Sequence, residues 1–221
     1  MTPVYDIENI NPGSACTEAL SLRWIYRLEP VAAALALIVL FPVAFAIGIA
    51  IAALSGRSPL IRHRRVGWRG VPLPMLKFRT MWENGVRGRY SALVEDVSDS
   101  VPVSKQGSDP RVVSKFAAIC RRYSLDEIPQ LYHVARGQMS FVGPRPITRN
   151  ELDQYYGPHF AEVLKLRPGL TGLWQVMGRS RLTYSRRMKL DLILVRRASP
   201  SLYFWILMRT VPIVVRGYDA C

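Results

Sequence analysis

Cysteine and histidine are scarce in this sequence, whose 221 residues include 3 of each. Cys16, Cys120 and Cys221 are widely scattered and lack the spacing of metal ligands, so we interpret them as buried or idle thiols in a reducing compartment. The histidines are isolated from one another, and we interpret them as ordinary surface or core residues. The composition therefore gives no indication of a metal cluster or of a cysteine–histidine nucleophile.

Acidic residues are also few, with 16 Asp+Glu against 30 Lys+Arg and a formal net charge of +14. The imbalance lies entirely in residues 57–221, which hold 28 basic and 12 acidic residues, a net charge of +16. Such a field attracts nucleic acid, lipid headgroups or phosphorylated substrates. Because 49% of the chain is apolar, a disordered acidic tail protein is excluded.

Long hydrophobic runs are limited to one, residues 31–54, which contain 24 residues without a charge. As a straight helix this run would reach about 36 Å, more than the roughly 30 Å of bilayer hydrocarbon. It therefore predicts a membrane element. No second run is long enough to cross a bilayer, which argues against a multi-pass transporter. The basic body that follows belongs in the cytoplasm by the positive-inside rule.

A proline interrupts the hydrophobic run at its centre. Pro42 has no N–H, and its ring clashes with the carbonyl group four residues earlier, which kinks or breaks a helix. A kinked span and a helix-break-helix that enters and leaves by the same face both fit. These physical arguments leave the choice between them open.

The rest of the chain predicts a mainly α-helical fold with a few short β-strands, of the α+β class. An extended run lies around residues 75–80, and the alternation of a strand would put Lys77 and Arg79 on one side of it. Residues 84–110 form a polar stretch that we interpret as a mobile insertion. Residues 201–215 are apolar but too short and too charged to span a membrane, so they either lie in the bilayer interface or close the core. The helical patterns cover residues 116–123, 124–136, 150–166 (interrupted at Gly157) and 184–197.

One adjacent pair of acidic residues, Asp126 and Glu127, stands in the basic part of the chain outside that insertion. Ser124 and Glu127 spell a capping box, which would make the pair a structural helix cap. Pro129 would lose a backbone hydrogen bond in the interior of a helix, which favours instead a helix that begins at Pro129. In either case both carboxylates stand at the positive end of a helix.

Basic residues on rigid segments favour a functional role for this acidic pair over a purely structural one. A carboxylate that approaches a diphosphate is repelled unless cations stand between them. Arginines bind phosphate oxygens bidentately, Mg²⁺ held by a carboxylate would add positive charge, and an aspartate is a competent nucleophile toward phosphorus. Residues 142–146 (VGPRP), here called the arginine loop, are stiffened by two prolines. The candidate phosphate- and nucleotide-binding residues are Lys77, Arg79, Arg121, Arg145, Arg167, Gln175 and Arg179.

Five motifs occur in order: KFRTM (77–81), SDPR (108–111), SLDEIPQL (124–131), GQMSFVGPRP (137–146) and RPGLTGLWQVMGR (167–179). With these motifs the chain strongly resembles the bacterial polyprenyl-phosphate sugar-1-phosphate transferases, the monotopic phosphoglycosyl transferase family. The likeness runs from about residue 23 to the C-terminus. It is greatest to members that start exopolysaccharide repeat units with a hexose 1-phosphate, typically galactose or glucose.

The resemblance implies an activity and a site. Asp126 of the Asp126–Glu127 dyad would attack the β-phosphorus of a UDP-sugar, release UMP and hold the sugar phosphate until undecaprenyl phosphate accepts it. Mg²⁺ would bind near the dyad, and Arg121 and Arg145 match family positions that contact phosphate.

The resemblance also implies a membrane arrangement. Residues 1–29 would form an N-terminal segment, residues 30–56 a helix broken at Pro42 that re-enters the inner membrane, and residues 57–221 a cytoplasmic catalytic domain with interfacial C-terminal helices. Partners would be the two substrates and membrane lipid, with room for a homodimer and no nucleic acid.

Two departures from the family pattern concern sugar specificity and nucleotide contacts. Residues 194–200 replace an aromatic-rich stretch that precedes a Trp-Ser pair, and Pro72 and Pro74 precede KFRTM.

A membrane-tethered basic protein that binds nucleic acid or anionic lipid without catalysis would explain the net charge equally well. It would not explain why arginines stand on rigid loops around a carboxylate pair. A degenerate member kept as a scaffold is a weaker alternative because the dyad is intact.

Overall fold

The computed structural model describes residues 22–82, 93–97 and 114–217, and these are mainly helical with a few short strands, as predicted. The helices are α1 (Arg23–Ser55), α2 (Lys115–Arg122), α3 (Leu131–Ala135), α4 (Arg149–Glu151), α5 (Phe160–Val163), α6 (Leu173–Met177), α7 (Tyr184–Arg196) and α8 (Pro200–Arg216). The strands are β1 (Leu60–Val66), β2 (Pro72–Phe78), β3 (Val94–Val97), β4 (Ser140–Val142) and β5 (Gly169–Thr171). A π-helical turn (Leu152–Tyr156) and 3₁₀ turns, among them Leu125–Gln130, connect the helices.

A three-stranded sheet in the order β2-β1-β3 follows α1. Strands β1 and β2 form an antiparallel hairpin in which Leu60 pairs with Phe78. Pro72 and Pro74 are tolerated because β2 is an edge strand, where a missing N–H costs no ladder bond. Strand β3 pairs in parallel with β1 and lies inside the stretch 84–110, so the predicted mobile insertion is wrong at residues 94–97. Most of that prediction falls outside the described residues.

Helix α1 begins at Arg23, seven residues before the predicted start of the membrane element, and continues to Ser55. It runs through Pro42, so the predicted break of the helix at this proline is not observed. A proline removes one backbone hydrogen bond, and the bonds on either side of it are sufficient to hold a helix of 33 residues together. Among the described residues, α1 is the one helix long and apolar enough to cross a membrane.

Both ends of α1 pack against the same domain. Near its N-terminal end Ile25 belongs to the main core, and near its C-terminal end Ile47 and Ile51 pack with Phe78 and Leu131. Between these ends the apolar side chains are largely exposed, as at Val39, which is 74% exposed. A helix that crossed a bilayer would separate its ends by about 30 Å of hydrocarbon. In this structure, by contrast, both ends of α1 contact the domain formed by the rest of the described chain.

Helix α8 closes the core, which is one of the two alternatives for residues 201–215, and it also exposes an apolar face. Tyr203 and Ile206 are buried in the main core, which gathers side chains from β4, α6, α7 and the π-helical turn. The opposite face leaves large apolar side chains accessible. Its members are Phe204, Trp205, Met208, Val211 and Val215.

Strands β4 and β5 form a second, parallel pair that fixes the arginine loop. The Gly143 N–H donates to the Thr171 carbonyl at 3.0 Å, and the Gly169 N–H donates to the Pro144 carbonyl at 2.8 Å. A Cβ on Gly143 would collide with the Arg167 carbonyl, and one on Gly169 would collide with the backbone nitrogen of Gly143. The loop that carries Arg145 is therefore fastened by its backbone directly after β4.

Candidate active site

The acidic pair lies on the 3₁₀ turn Leu125–Gln130 that leads into α3. Ser124 adopts a left-handed conformation with φ 55°, and its hydroxyl caps no N–H group, so the predicted capping box is wrong. The Glu127 N–H donates instead to the Ser124 carbonyl at 3.1 Å, and α3 begins at Leu131 rather than at Pro129. The side chain of Glu127 is left available for other partners.

Cations gather at the Glu127 carboxylate. Lys77 Nζ, from the end of β2, donates to Glu127 Oε1 at 2.7 Å, and Arg145 Nη2 lies 3.6 Å from the same oxygen. Burial opposes ionisation, but the charges of Lys77, Arg145 and Arg179 outweigh it and lower the pKa of Glu127 to about 2. Glu127 therefore remains a carboxylate at any working pH.

Asp126 has the opposite electrostatic character. Burial is the largest influence and raises the pKa of Asp126; the negative charge of Glu127 acts in the same direction, whereas Lys77 and Arg121 oppose it. Neighbouring carboxylates whose pKa values are pushed apart are typical of acids with different chemical roles. Asp126 is the more basic of the two and thus the better candidate nucleophile.

Four of the predicted binding residues surround the dyad, namely Lys77, Arg121, Arg145 and Arg179, through the contacts and charge interactions just described. The other three predictions have structural contacts. Arg79 is buried and donates Nε–H to the Ser58 carbonyl at 2.8 Å. Strand β2 ends at Phe78, so the alternation predicted to place Lys77 and Arg79 on one side does not extend to Arg79.

Arg167 and Gln175 brace the segments around the arginine loop. The guanidinium carbon of Arg167 lies 4.9 Å from the Tyr26 ring centroid and 5.4 Å from that of Trp68. Gln175 Nε2 donates to the Leu170 carbonyl at 3.2 Å. These contacts connect β5 and its flanks to the start of α1 and to the β1–β2 hairpin.

Two residues that the sequence did not single out lie beside Arg145, namely Trp174, which its guanidinium contacts, and Arg187, which contacts the same ring. The guanidinium carbon of Arg145 lies 5.8 Å from the ring centroid of Trp174, and that of Arg187 lies 4.8 Å from the same ring. Trp174 stands within the motif RPGLTGLWQVMGR, which could have identified it, whereas Arg187 belongs to an ordinary helical pattern. Stacking on a largely buried indole restricts the orientations of the Arg145 side chain.

A buried carboxylate, Asp191 of α7, lies behind the arginine loop. It is fully buried, and Tyr156 Oη donates to its Oδ2 at 2.8 Å. Burial raises the pKa of Asp191 to about 7, although the hydrogen bond from Tyr156 and the charge and backbone amide of Arg145 favour its ionised form. No motif marked Asp191, which in the sequence is one charge in a helical segment.

A magnesium ion fits the dyad only as a site completed by substrate. Within residues 22–82, 93–97 and 114–217, no group of three or more His, Cys, Asp and Glu side chains could hold a metal ion. Mg²⁺, however, is usually bound by one or two carboxylates together with substrate phosphates and water. Asp126 and Glu127 supply those carboxylates.

Comparison with known proteins gives the same family as the five sequence motifs. A model of the bacterial sugar transferase family matches residues 23–217. The exopolysaccharide production protein ExoY of Sinorhizobium fredii is 39% identical over 191 residues, which cover 82% of this chain and 81% of the relative.

Two relatives that are longer than this chain carry more specific names. The UDP-galactose-lipid carrier transferase of Erwinia amylovora is 35% identical over 204 residues, covering 89% of this chain and 41% of the relative. The UDP-glucose:undecaprenyl-phosphate glucose-1-phosphate transferase of Caulobacter vibrioides is 40% identical over 154 residues, covering 68% and 52%. The dyad and the arginine loop both lie within the range that the family model matches.

Proposed function

The chain belongs to the bacterial sugar transferase family and is a phosphoglycosyl transferase, and from this premise we propose that it transfers a hexose 1-phosphate from a UDP-sugar to undecaprenyl phosphate. This transfer initiates the synthesis of an exopolysaccharide or another glycoconjugate, which the name of the ExoY relative supports. The names of two relatives specify UDP-galactose and UDP-glucose, so these are the two donors to test first.

The observation that carries the proposal is the dyad itself, in which one carboxylate is held charged by cations while burial makes its neighbour more basic. In the first step, a carboxylate oxygen of Asp126 bonds to the β-phosphorus of the UDP-sugar. The bridging bond between the β-phosphorus and the oxygen carried by the α-phosphorus breaks, and its electron pair leaves with UMP. Asp126 then holds the hexose phosphate as an acyl phosphate.

In the second step, a phosphate oxygen of undecaprenyl phosphate bonds to the same phosphorus. The bond between that phosphorus and the Asp126 oxygen breaks, which regenerates the carboxylate and forms a polyprenyl diphosphate sugar. The two displacements balance without an oxidant or a further reactant. Lys77, Arg121, Arg145 and Arg179 stabilise the phosphate charge in both steps.

Magnesium belongs to the proposal as a cofactor held by Asp126 and Glu127. When bound there, it would neutralise negative charge on the diphosphate. The residues of the chain orient the groups that contact the diphosphate. Lys77 keeps Glu127 oriented through its hydrogen bond of 2.7 Å, and Arg145 is oriented by Trp174.

We further propose that α1 re-enters the cytoplasmic leaflet and that residues 57–221 form the catalytic domain on that face. The packing of both ends of α1 against one domain supports this arrangement. The exposed apolar faces of α1 and α8 meet where the ring centroids of Trp24 and Phe204 are 6.2 Å apart, which supports an interfacial position for α8. Pro42 would then mark the deepest part of the helix rather than a gap in it.

The proposal is tested by incubating the purified protein in detergent with Mg²⁺, undecaprenyl phosphate and either UDP-galactose or UDP-glucose. We expect UMP to appear with one donor and the lipid-linked sugar to form in step with it. With acceptor omitted, mass spectrometry should find hexose phosphate on the peptide that contains Asp126. Absence of UMP with every UDP-hexose would contradict the proposal and would favour a non-catalytic basic protein at the membrane.

A further inference from the structure

One carboxylate of α1 faces the domain rather than the exposed side of the helix. Glu29 is 3% exposed, whereas its neighbours Leu28 and Val31 are 59% and 61% exposed. Burial of a charged group is costly unless hydrogen bonds and neighbouring dipoles compensate for the lost water. A buried glutamate at the beginning of an apolar helix therefore needs specific partners.

Glu29 finds these partners on two other elements. Its Oε1 accepts hydrogen bonds from Ser140 Oγ at 2.5 Å and from the Phe141 N–H at 2.8 Å, both in β4. The same oxygen accepts from Tyr203 Oη of α8 at 2.6 Å. The second oxygen, Oε2, is buried and has no hydrogen-bond partner among the described residues. Three donors thus fasten α1 to β4 and α8 at a single atom.

The strand that Glu29 holds leads directly to the arginine loop. Phe141 is four residues before Arg145, and the intervening backbone is fastened to the β5 segment by the hydrogen bonds of Gly143 and Pro144. Two prolines flank Arg145, so the loop has little freedom to absorb a shift of β4. A displacement of β4 would therefore move Arg145 relative to Glu127, which lies 3.6 Å from it.

We propose that Glu29 is a positioning residue, which sets Arg145 against the donor phosphates by holding β4 to the membrane helix. The inference rests on the proposed function for the identity of the donor. The inference adds that the same hydrogen bonds of Glu29 pack α1 on the domain and position Arg145 in the phosphate site. If Glu29 were only a structural contact, its loss would lower stability without acting through Arg145.

Glu29→Gln is the most conservative test. The amide keeps the size of the side chain and one accepting oxygen, but it loses the negative charge. Its NH₂ group would take the place of Oε2, for which the described residues offer no hydrogen-bond partner. Tyr203→Phe is a milder companion, because it removes one of the three donors and leaves the carboxylate in place. Glu162→Gln is the matched control, because Glu162 accepts two hydrogen bonds from Arg196 at 2.7 and 2.9 Å in a pair that joins α5 to α7.

We expect Glu29→Gln to raise KM for the UDP-sugar about tenfold with a smaller change in kcat, and Tyr203→Phe to change KM in the same direction by less. A tenfold effect corresponds to about 1.4 kcal/mol. Glu162→Gln should lower Tm and leave KM unchanged. In an Arg145→Ala background, Glu29→Gln should change KM by less than about twofold, since both substitutions remove one function. Effects that multiply would overturn the proposal.

Binding of inorganic pyrophosphate, measured by calorimetry on the same variants, separates this inference from the proposed reaction. If the wild-type protein releases no UMP but pyrophosphate binding shows the same non-additivity of Glu29 and Arg145, the positioning role holds and the reaction is wrong. If UMP is released and Glu29→Gln matches the wild type in KM and in pyrophosphate binding, the positioning role is wrong and the reaction holds.

Discussion

The two sides of the arginine loop present carboxylates in contrasting environments. At the front, Glu127 is 21% exposed and lies among cations that lower its pKa to about 2. At the back, Asp191 is fully buried, and burial raises its pKa to about 7. Both groups face the same residue, Arg145, the first near its guanidinium and the second near its backbone. The difference separates a carboxylate that stays charged from one that retains a proton in the folded protein up to about pH 7.

The largest expected effect concerns the dyad at the front. Asp126→Ala removes the candidate nucleophile without disturbing the ion pair between Lys77 and Glu127, and we expect UMP release to fall by at least about a thousandfold. The measurement is the initial rate of UMP release at saturating donor, with Tm recorded to confirm folding. Full activity of this variant would refute the nucleophile assignment.

A smaller loss is expected from Glu127→Gln, which keeps the shape of the side chain and removes its charge. Lys77 and Arg145 would lose their common anion, and we expect kcat/KM to fall by about a hundredfold while Asp126 still forms the covalent intermediate. Asp153→Asn is the control, because the ion pair of Asp153 with Arg149 is exposed and far less important for stability. Equal rates for Glu127→Gln and Asp153→Asn would show that the charge of Glu127 does not contribute to activity.

The smallest effect on activity, together with a pH-dependent change in stability, is expected from Asp191→Asn at the back of the arginine loop. Because the folded protein raises the pKa of Asp191 to about 7, it retains a proton that the unfolded chain releases near pH 4. This group therefore favours the folded state fully below about pH 4, and that contribution is lost as the pH rises through 7. Asp191→Asn removes this dependence.

We expect Tm of Asp191→Asn, relative to the wild type, to be higher at pH 8 than at pH 5, with kcat changed only a few-fold. Thermal unfolding in detergent at the two pH values measures the difference. A Tm difference that is the same at both pH values would show that folding does not raise the pKa of Asp191.

Local sequence patterns predicted the charged residues of this site better than the residues that hold them in place. Asp126 and Glu127 are adjacent, and Arg145 stands between prolines, so few backbone conformations were open to them. Lys77 was correctly placed near the dyad because a short strand carries it there. The strand alternation predicted for residues 75–80 does not extend to Arg79, because β2 ends at Phe78.

The supports depend on contacts between distant segments, which no local pattern encodes. Glu29 lies 111 residues from Ser140 in the chain, and in the sequence it is one acid beside an apolar run. Strand β3 forms because β1 offers it an edge, although two of its four residues are acidic. Ser124 fails as a cap because its backbone turns left-handed before the dyad. In each case tertiary packing overrides local preference.

The close approach of Gly143 and Gly169 has a genetic consequence. Both positions already carry the smallest side chain in the amino-acid repertoire, and even a methyl group at either would meet backbone atoms rather than a flexible side chain. Every missense change at these two codons is therefore an enlargement that the neighbouring strand cannot accommodate. In a saturation library selected for polysaccharide production, both codons should be depleted of all nineteen alternatives, whatever their polarity.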